Sequence, residues 1–444
     1  MQKASLLRQV LFLIFIAFVL ILLMGLLIFS SAKATGATRD TGLSPSGTRP
    51  SGLKSASMGK AYDEDEDDWE SPRHRNRMDG GIRYNRVEGL YLGLLMNQDN
   101  ERQIRPRRTY GIPFLYGYGG YAFKLKDFEY QLGIEKRFSE NNAFAVGGEY
   151  HHTADTPDRW IISDRENSLA AFFLKEDFQD YYFTEGASGY VKKTIASVLH
   201  LTVAYNTDEY DSLSRNTNWS LFGGKKRFRE NPAMSTGEVR SLAAKLVLDS
   251  RNSIKKATRG LYIQLEGEHV GESLGGDYDF DRLVVDFRGY WTLDSWEGVD
   301  FRVRAGSIKG GAPWQKTFHL GGISTLRGFA YKAFPSGPMQ PGGDRMVLAQ
   351  AEYTLGREDF PYGLDLGFLN EFNVILFTDA GWVGVAGSQS ELWEGFEDIS
   401  SRMIKNDVGI ALANRTGDVR LEVARRTDTG YKPFTFYFRI ERAF

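Results

Sequence analysis

The chain has 444 residues, a formal net charge of -2, no cysteine, 48 glycines and 14% aromatic residues, with a mean hydropathy of -0.37. These values exclude a helical membrane protein, a disulfide framework and a thiolate metal site, and the near-neutral charge offers no basic surface for nucleic acid. High aromatic and glycine content at low mean hydropathy is the profile of a transmembrane β-barrel, in which only alternate strand residues face lipid.

Lys3 and Arg8 flank the start of an apolar run from Val10 to Phe29, and the small-residue triplet Ala32-Lys33-Ala34 follows it. Basic start, apolar middle and A-x-A end predict a secretory signal over residues 1–34, cut after Ala34. The length of the run also suits an uncleaved membrane anchor, and both readings export the rest. Residues 35–81 are rich in Ser, Thr, Gly and charge, with an acidic run from Asp63 to Asp68 and a basic one from Arg73 to Arg77. Such a segment buries too little apolar surface to offset its ordering entropy, so a disordered linker is expected. The acidic run lacks the spacing and turn glycine of a calcium loop, and no metal or other cofactor is expected.

Over residues 82–444 the pattern is of strands, roughly sixteen of them, each of about ten residues with alternating polarity. In Arg282 to Trp291, Leu283, Val285, Phe287 and Trp291 share one face, while Asp286, Arg288 and Tyr290 share the other. Val299, Phe301 and Val303 likewise oppose Asp300, Arg302 and Arg304. A soluble sandwich would alternate in the same way, but three features favour an all-β, antiparallel transmembrane barrel. These are the export signal, strand lengths that suit a tilted membrane span, and aromatics at strand ends (Tyr290, Trp291, Trp296, Trp314, Phe318 and Trp382) that would form interfacial girdles. One segment breaks the pattern. Ser163 to Phe178 places Leu169, Phe172 and Phe173 at helical spacing behind a Ser163 or Asp164 cap. The strand count puts this insertion between the fourth and fifth strands, on the periplasmic side.

The final strand is read as Phe434 to Phe444, with Phe434, Phe436, Phe438, Ile440 and Phe444 facing lipid and Arg442 snorkelling to the interface. A chain ending on such a strand looks like an outer-membrane barrel carrying its assembly signal. Between strands 11 and 12, His319 to Tyr353 begins as a long Gly-rich loop, and long loops inside folded domains are usually functional or disordered.

Here the sequence resembles a known family. Gly-Gly-Ile-Ser-Thr-Leu-Arg-Gly-Phe at 321–329, then Gly342-Gly343-Asp344-Arg345, Ala351-Glu352-Tyr353 and Phe377-Thr378-Asp379-Ala380-Gly381, together resemble the bacterial surface antigen superfamily, the barrels of the BamA and TamA type. The Asn85-Arg86-Val87-Glu88-Gly89-Leu90 opening is similar to members of that superfamily whose roles are unsettled. The resemblance implies that the loop folds into the barrel and that Arg327 meets carboxylates of the inner wall, Glu352 and Asp379. Gly328 would allow close backbone approach and Phe329 would anchor the loop. Periodicity independently turns Glu352 and Asp379 inward. The chain departs from the family pattern in that residues 35–81 are too short and polar for a POTRA module, so a barrel lacking POTRA domains is expected.

The resemblance implies a role in membrane-protein assembly, insertion or translocation. Its expected partners are outer-membrane lipids and lipopolysaccharide, the barrel-assembly machinery during biogenesis, and client proteins or a second barrel. A solute channel is the alternative. The inward charges (Lys245, Arg288, Arg302, Arg304 and Arg420 against Asp249, Glu266, Glu268, Asp286, Asp300, Asp407 and Glu422) are mixed in sign, unlike a selectivity ring. An outer-membrane lipid hydrolase would need a presented Ser and His. Only His200 sits inside a strand facing the lumen, His151-His152 lacks an i, i+4 metal geometry, and no catalytic residue is expected.

Overall fold

The structure is a computed structural model that describes residues 81–96, 111–138, 144–254, 256–356, 371–428 and 433–444. The export signal over residues 1–34 and residues 35–80 of the linker lie outside the described residues.

Sixteen strands form a single sheet in which sequence neighbours are also spatial neighbours. They are β1 (Ile82–Asn85), β2 (Gly89–Met96), β3 (Phe114–Ala122), β4 (Asp127–Arg137), β5 (Phe144–Asp155), β6 (Tyr182–Ala196), β7 (Leu199–Ser212) and β8 (Gly237–Asp249). There follow β9 (Gly260–Val270), β10 (Asp279–Asp294), β11 (Glu297–Gly311), β12 (Arg345–Leu355), β13 (Phe372–Gly384), β14 (Lys405–Asn414), β15 (Arg420–Arg426) and β16 (Thr435–Arg439). Every pairing is antiparallel, as in β11 against β12, where Asp300 opposes Glu352. Among the described residues no ladder joins β1 to β16.

The two faces of this sheet are inverted relative to a water-soluble protein. One face carries Glu129, Gln131, Asp286, Arg302, Asp379 and Asp407, all buried, and the other displays Leu94, Leu132, Leu376, Phe436 and Phe438. Each large apolar side chain left in water forgoes roughly 1.5–3 kcal/mol. A sheet that exposes such side chains along most of its strands is stable only where the surrounding medium is itself apolar. The sandwich alternative fails because, among the described residues, no second sheet covers the apolar face.

Among the described residues one α-helix, α1 (Asp164–Leu174), interrupts the strands. Ser163 caps it by accepting from the Glu166 N–H at 3.1 Å, and Asp164 and Glu166 place negative charge in the first turn where the helix dipole favours it. Lys175, in the left-handed region, ends it. The structure corrects its expected place: α1 lies between β5 and β6, not between the fourth and fifth strands. In an up-and-down sheet this puts it on the same side as the β11–β12 loop, not the opposite one.

Two further expectations change. The last ladder stops at Arg439 and does not continue to Phe444. Beyond it, Arg442 donates to the backbone carbonyls of Ala257 (2.8 Å) and Thr416 (3.2 Å) instead of snorkelling, because carbonyls at turn ends offer a guanidinium fixed acceptors. Of the expected girdle aromatics, Tyr290, Phe318 and Trp382 are buried. Phe318 packs with Leu320, Leu326, Phe329, Met346 and Leu348 in the largest apolar cluster.

Candidate functional site

The β11–β12 loop is held in shape by its own backbone before any side chain acts. Phe318 and Gly343 exchange hydrogen bonds of 2.9 Å each way, and inside them Leu320 and Phe334 exchange bonds of 3.2 and 3.0 Å. At the tip the Gly322 carbonyl accepts from the Thr325 N–H at 3.1 Å, and Leu326 closes back onto Gly322 at 3.0 Å. Gly321 and Gly322 both have positive φ, 125° and 88°, which only glycine adopts without strain. These turns aim Leu326 to Phe329 at the polar face of β12 to β16.

Arg327 is fully buried there. Its Nε and Nη2 each donate to Asp379 at 2.8 Å, forming a fork, and Nη1 donates to Glu352 at 2.7 Å. The same nitrogen reaches Glu422 at 3.4 Å, and the guanidinium lies 3.5 Å from the centre of the Phe377 ring. The backbone joins in: the Arg327 N–H donates to Asp379 (3.2 Å), and its carbonyl accepts from Thr435 Oγ1 in β16 (2.6 Å). Planar, bidentate pairing of this kind is what makes a buried guanidinium tolerable.

Gly328 follows, its N–H donating to Asp407 at 2.8 Å. A Cβ at this position would stand 2.6 Å from the Asp407 Cβ and 2.7 Å from the Arg426 nitrogen. No side chain fits so close to the β14–β15 backbone. Phe329 packs edge-on against Phe334 at 5.2 Å and beneath the Arg426 guanidinium.

The contacts extend beyond the residues singled out in the sequence. Arg420 donates to both Glu352 oxygens (3.2 and 3.1 Å) and to Glu422 (3.3 Å), and Gln350 ties Asp379 to the Thr325 carbonyl with two 3.0 Å bonds. Asp407, Arg420 and Glu422 are legible as inward-facing strand residues, but nothing in a strand pattern joins them to Arg327. The available signal was an inward carboxylate on each of four consecutive strands, β12 to β15.

A second buried charge cluster ties the loop to its neighbours. Lys332 donates to Asp158 (2.8 Å) and Asp180 (2.7 Å), on either side of α1 in sequence. Arg86, in the β1–β2 turn, reaches Asp180 at 2.9 Å, Asn231 at 2.8 Å and Asp177 at 3.0 Å. Burial and the nearby Asp180 push the Asp158 carboxyl above its ordinary range against the pull of Lys332. At Asp180 burial acts in the same direction, but Arg229, Lys332 and Arg86 outweigh it and hold the carboxyl below that range.

An inverted sixteen-stranded antiparallel sheet with a loop arginine set among strand carboxylates defines a transmembrane β-barrel of the outer-membrane type. Residues 119–444 match the Omp85 superfamily domain. The chain belongs to the Omp85 superfamily and is an integral outer-membrane protein. It is 25% identical over 329 residues to the outer membrane protein assembly factor BamA of Nitratidesulfovibrio vulgaris, covering 68% of this chain and 38% of that protein. The chain thus spans well under half the length of that curated relative. Among solved structures, BamA from Haemophilus ducreyi lacking POTRA domains 1–3 is similar in fold, with a TM-score of 0.52 at 16% identity over 80% of this chain and 68% of that one. CdiB from Acinetobacter baumannii aligns with a TM-score of 0.39 at 12% identity, over 80% of this chain and 57% of that one.

Proposed function

We propose that this barrel assists the assembly, insertion or translocation of other proteins at the outer membrane, and that it works by loosening the seam between β1 and β16, without chemistry of its own. The observation that supports this is the seam itself. β1 has 4 residues and β16 has 5, where β6 has 15 and β10 has 16. Among the described residues no ladder joins these two strands, and a sheet edge left without a strand partner is where another chain can add. The assembly role in the name of the N. vulgaris relative favours the same reading.

In this reading Arg327, Gly328, Phe329, Glu352 and Asp379 lock the loop as a strut across β12 to β16, joined by Gln350, Asp407, Arg420 and Glu422. The exposed Phe434, Phe436 and Phe438, with Ile440 and Phe444, serve as the segment that the barrel-assembly machinery recognises in this chain's own biogenesis. Outer-membrane lipid and lipopolysaccharide surround the barrel, client proteins or a second barrel meet the seam, residues 1–34 direct export, and residues 35–81 form the linker. A passive solute channel is less well supported, because inward charges neutralise each other in pairs: Lys245 with Glu266 at 3.1 Å, Arg302 with Asp286 at 2.6 Å, Lys316 with Glu268 at 2.8 Å.

Depletion of the protein, followed by quantitative comparison of the outer-membrane proteome, tests the proposal. A selective fall in other outer-membrane proteins is expected. Unchanged protein content, together with a large steady conductance that survives deletion of residues 326–343, would instead identify a diffusion channel.

A further inference from the structure

Helix α1 touches both ends of the sheet. At its N-terminal end Glu166 accepts from Arg439 Nε and Nη2 at 2.8 Å each and from the Ile440 N–H at 2.9 Å, and Ser163 Oγ donates to Glu441 at 2.7 Å. Further along, Ser168 Oγ accepts the Tyr84 N–H of β1 at 3.2 Å. That N–H points away from β2 into the seam, and a helix hydroxyl answers it where a neighbouring strand otherwise would.

The faces involved differ at the two ends. In β16, Phe436 and Phe438 are exposed, so Arg439 lies on the polar face, where it also meets Ser324 at 2.7 Å. In β1, Arg83 lies on the polar face, 3.6 Å over the Tyr91 ring and bonded to Glu129. Alternation therefore puts Tyr84 on the apolar face, beside Ile82 and opposite Leu90. Tyr84 is nonetheless buried, because Phe172 of α1 packs edge-on to it at 5.5 Å and Trp219 of the β7–β8 loop at 6.0 Å, with the Tyr84 hydroxyl donating to the Trp219 carbonyl at 2.6 Å. A helix whose first turn meets the polar face of the last strand and whose last turn meets the apolar face of the first strand must pass through the gap between them.

We infer that α1 is threaded through the seam between β1 and β16 as a helical stave of the barrel wall, and that membrane acyl chains cover its outer residues. The occupant follows from continuity. Leu169, Phe173 and Leu174 are exposed, as are Trp219, Leu221 and Phe222 beside them, with Phe222 stacked on Phe173. On this reading the patch lies between Phe436 and Phe438 of β16, with Phe434 just before it, on one side and Ile82, Leu92 and Leu94 of β1 and β2 on the other, all exposed apolar residues of the lipid-facing surface. The inference needs the membrane barrel but not the assembly reading. Its consequence is steric: β1 and β16 cannot pair with one another, or with an incoming strand, along the length α1 occupies until the helix withdraws.

The chain has no cysteine, so single labels report cleanly. Leu169→Cys and Phe173→Cys in the full chain, spin-labelled and reconstituted in bilayers, are compared with Phe436→Cys on the apolar face and Thr202→Cys on the polar face. Collision with oxygen is expected to exceed collision with a polar nickel chelate at Leu169 and Phe173, as at Phe436. Values matching Thr202 would overturn the inference. The Ser163→Cys/Glu441→Cys pair is expected to form a disulfide on mild oxidation, pinning α1 to the last strand, and failure of a folded barrel to cross-link would count equally against it. If the labels read lipid and the cross-linked protein still maintains the outer-membrane proteome, the threaded helix stands and the seam-based assembly role falls.

Discussion

Glu166 and Arg439 lie 273 positions apart and share two parallel hydrogen bonds of 2.8 Å, both side chains buried. Removing one partner of such a pair strands the other charge, at a cost of about 3–5 kcal/mol. Glu166→Ala is expected to lower the temperature at which the barrel loses its fast-migrating folded form on electrophoresis. Glu166→Met/Arg439→Met, which leaves no orphan charge, is expected to be milder than either single change.

Arg327 faces a different electrostatic problem. Four carboxylates, Glu352, Asp379, Asp407 and Glu422, surround the loop tip, and Arg420 is the other cation bonded among them. Arg327→Glu should therefore release the loop more completely than Arg327→Ala, since it adds repulsion to the lost bonds. Limited proteolysis of the intact barrel, read as cleavage between residues 320 and 343, ranks the two. Resistance equal to wild type in Arg327→Glu would remove the strut from the account.

Gly328 tests packing separately from charge. Gly328→Ala drives a methyl into the Asp407 Cβ and the β15 backbone, and overpacking of this kind costs about 1–3 kcal/mol. Gly267→Ala meets nothing within 4 Å and is expected to change stability by less than about 0.5 kcal/mol. Thermal shifts of the two variants should separate accordingly.

His319 supplies a pH dependence. Burial, reinforced by Lys332 and opposed by its bond to the Gln340 carbonyl and by Asp180, lowers its pKa to about 4. The unfolded chain takes up this proton near 6.5 and the folded chain only near 4, so the stability His319 confers is full above that window and is lost as pH falls through it. The difference is worth about 3 kcal/mol. Protease resistance of the loop should fall between pH 6.5 and 4 in the wild type, and His319→Gln should flatten that slope.

How much of this was legible in the sequence can be argued residue by residue. The inward direction of Glu352 and Asp379 follows from period-two alternation, a local property that survives any error in strand count. The position of α1 does not, because it depends on counting every strand before it: α1 stands one strand later than expected, although the Gly-rich loop lies between β11 and β12 as expected. The end of β16 was misjudged for a related reason. Phe434 to Phe444 keeps its alternation past Arg439, but Ile440 gives its N–H to Glu166 and leaves the ladder.

By itself the sequence determined the membrane barrel, the lipid-facing and polar faces of its strands, and the inward direction of Glu352 and Asp379, because each rests on short-range periodicity or on a contiguous run, while the meeting of Arg327 with those carboxylates was an expectation drawn from the family resemblance. Only the tertiary structure decided that Asp407, Arg420 and Glu422 join Arg327, that Lys332 and Arg86 meet at Asp180, and that a helix stands between the first and last strands. Those arrangements depend on segments far apart in the chain, and on which backbone groups the sheet leaves unpaired at its edges.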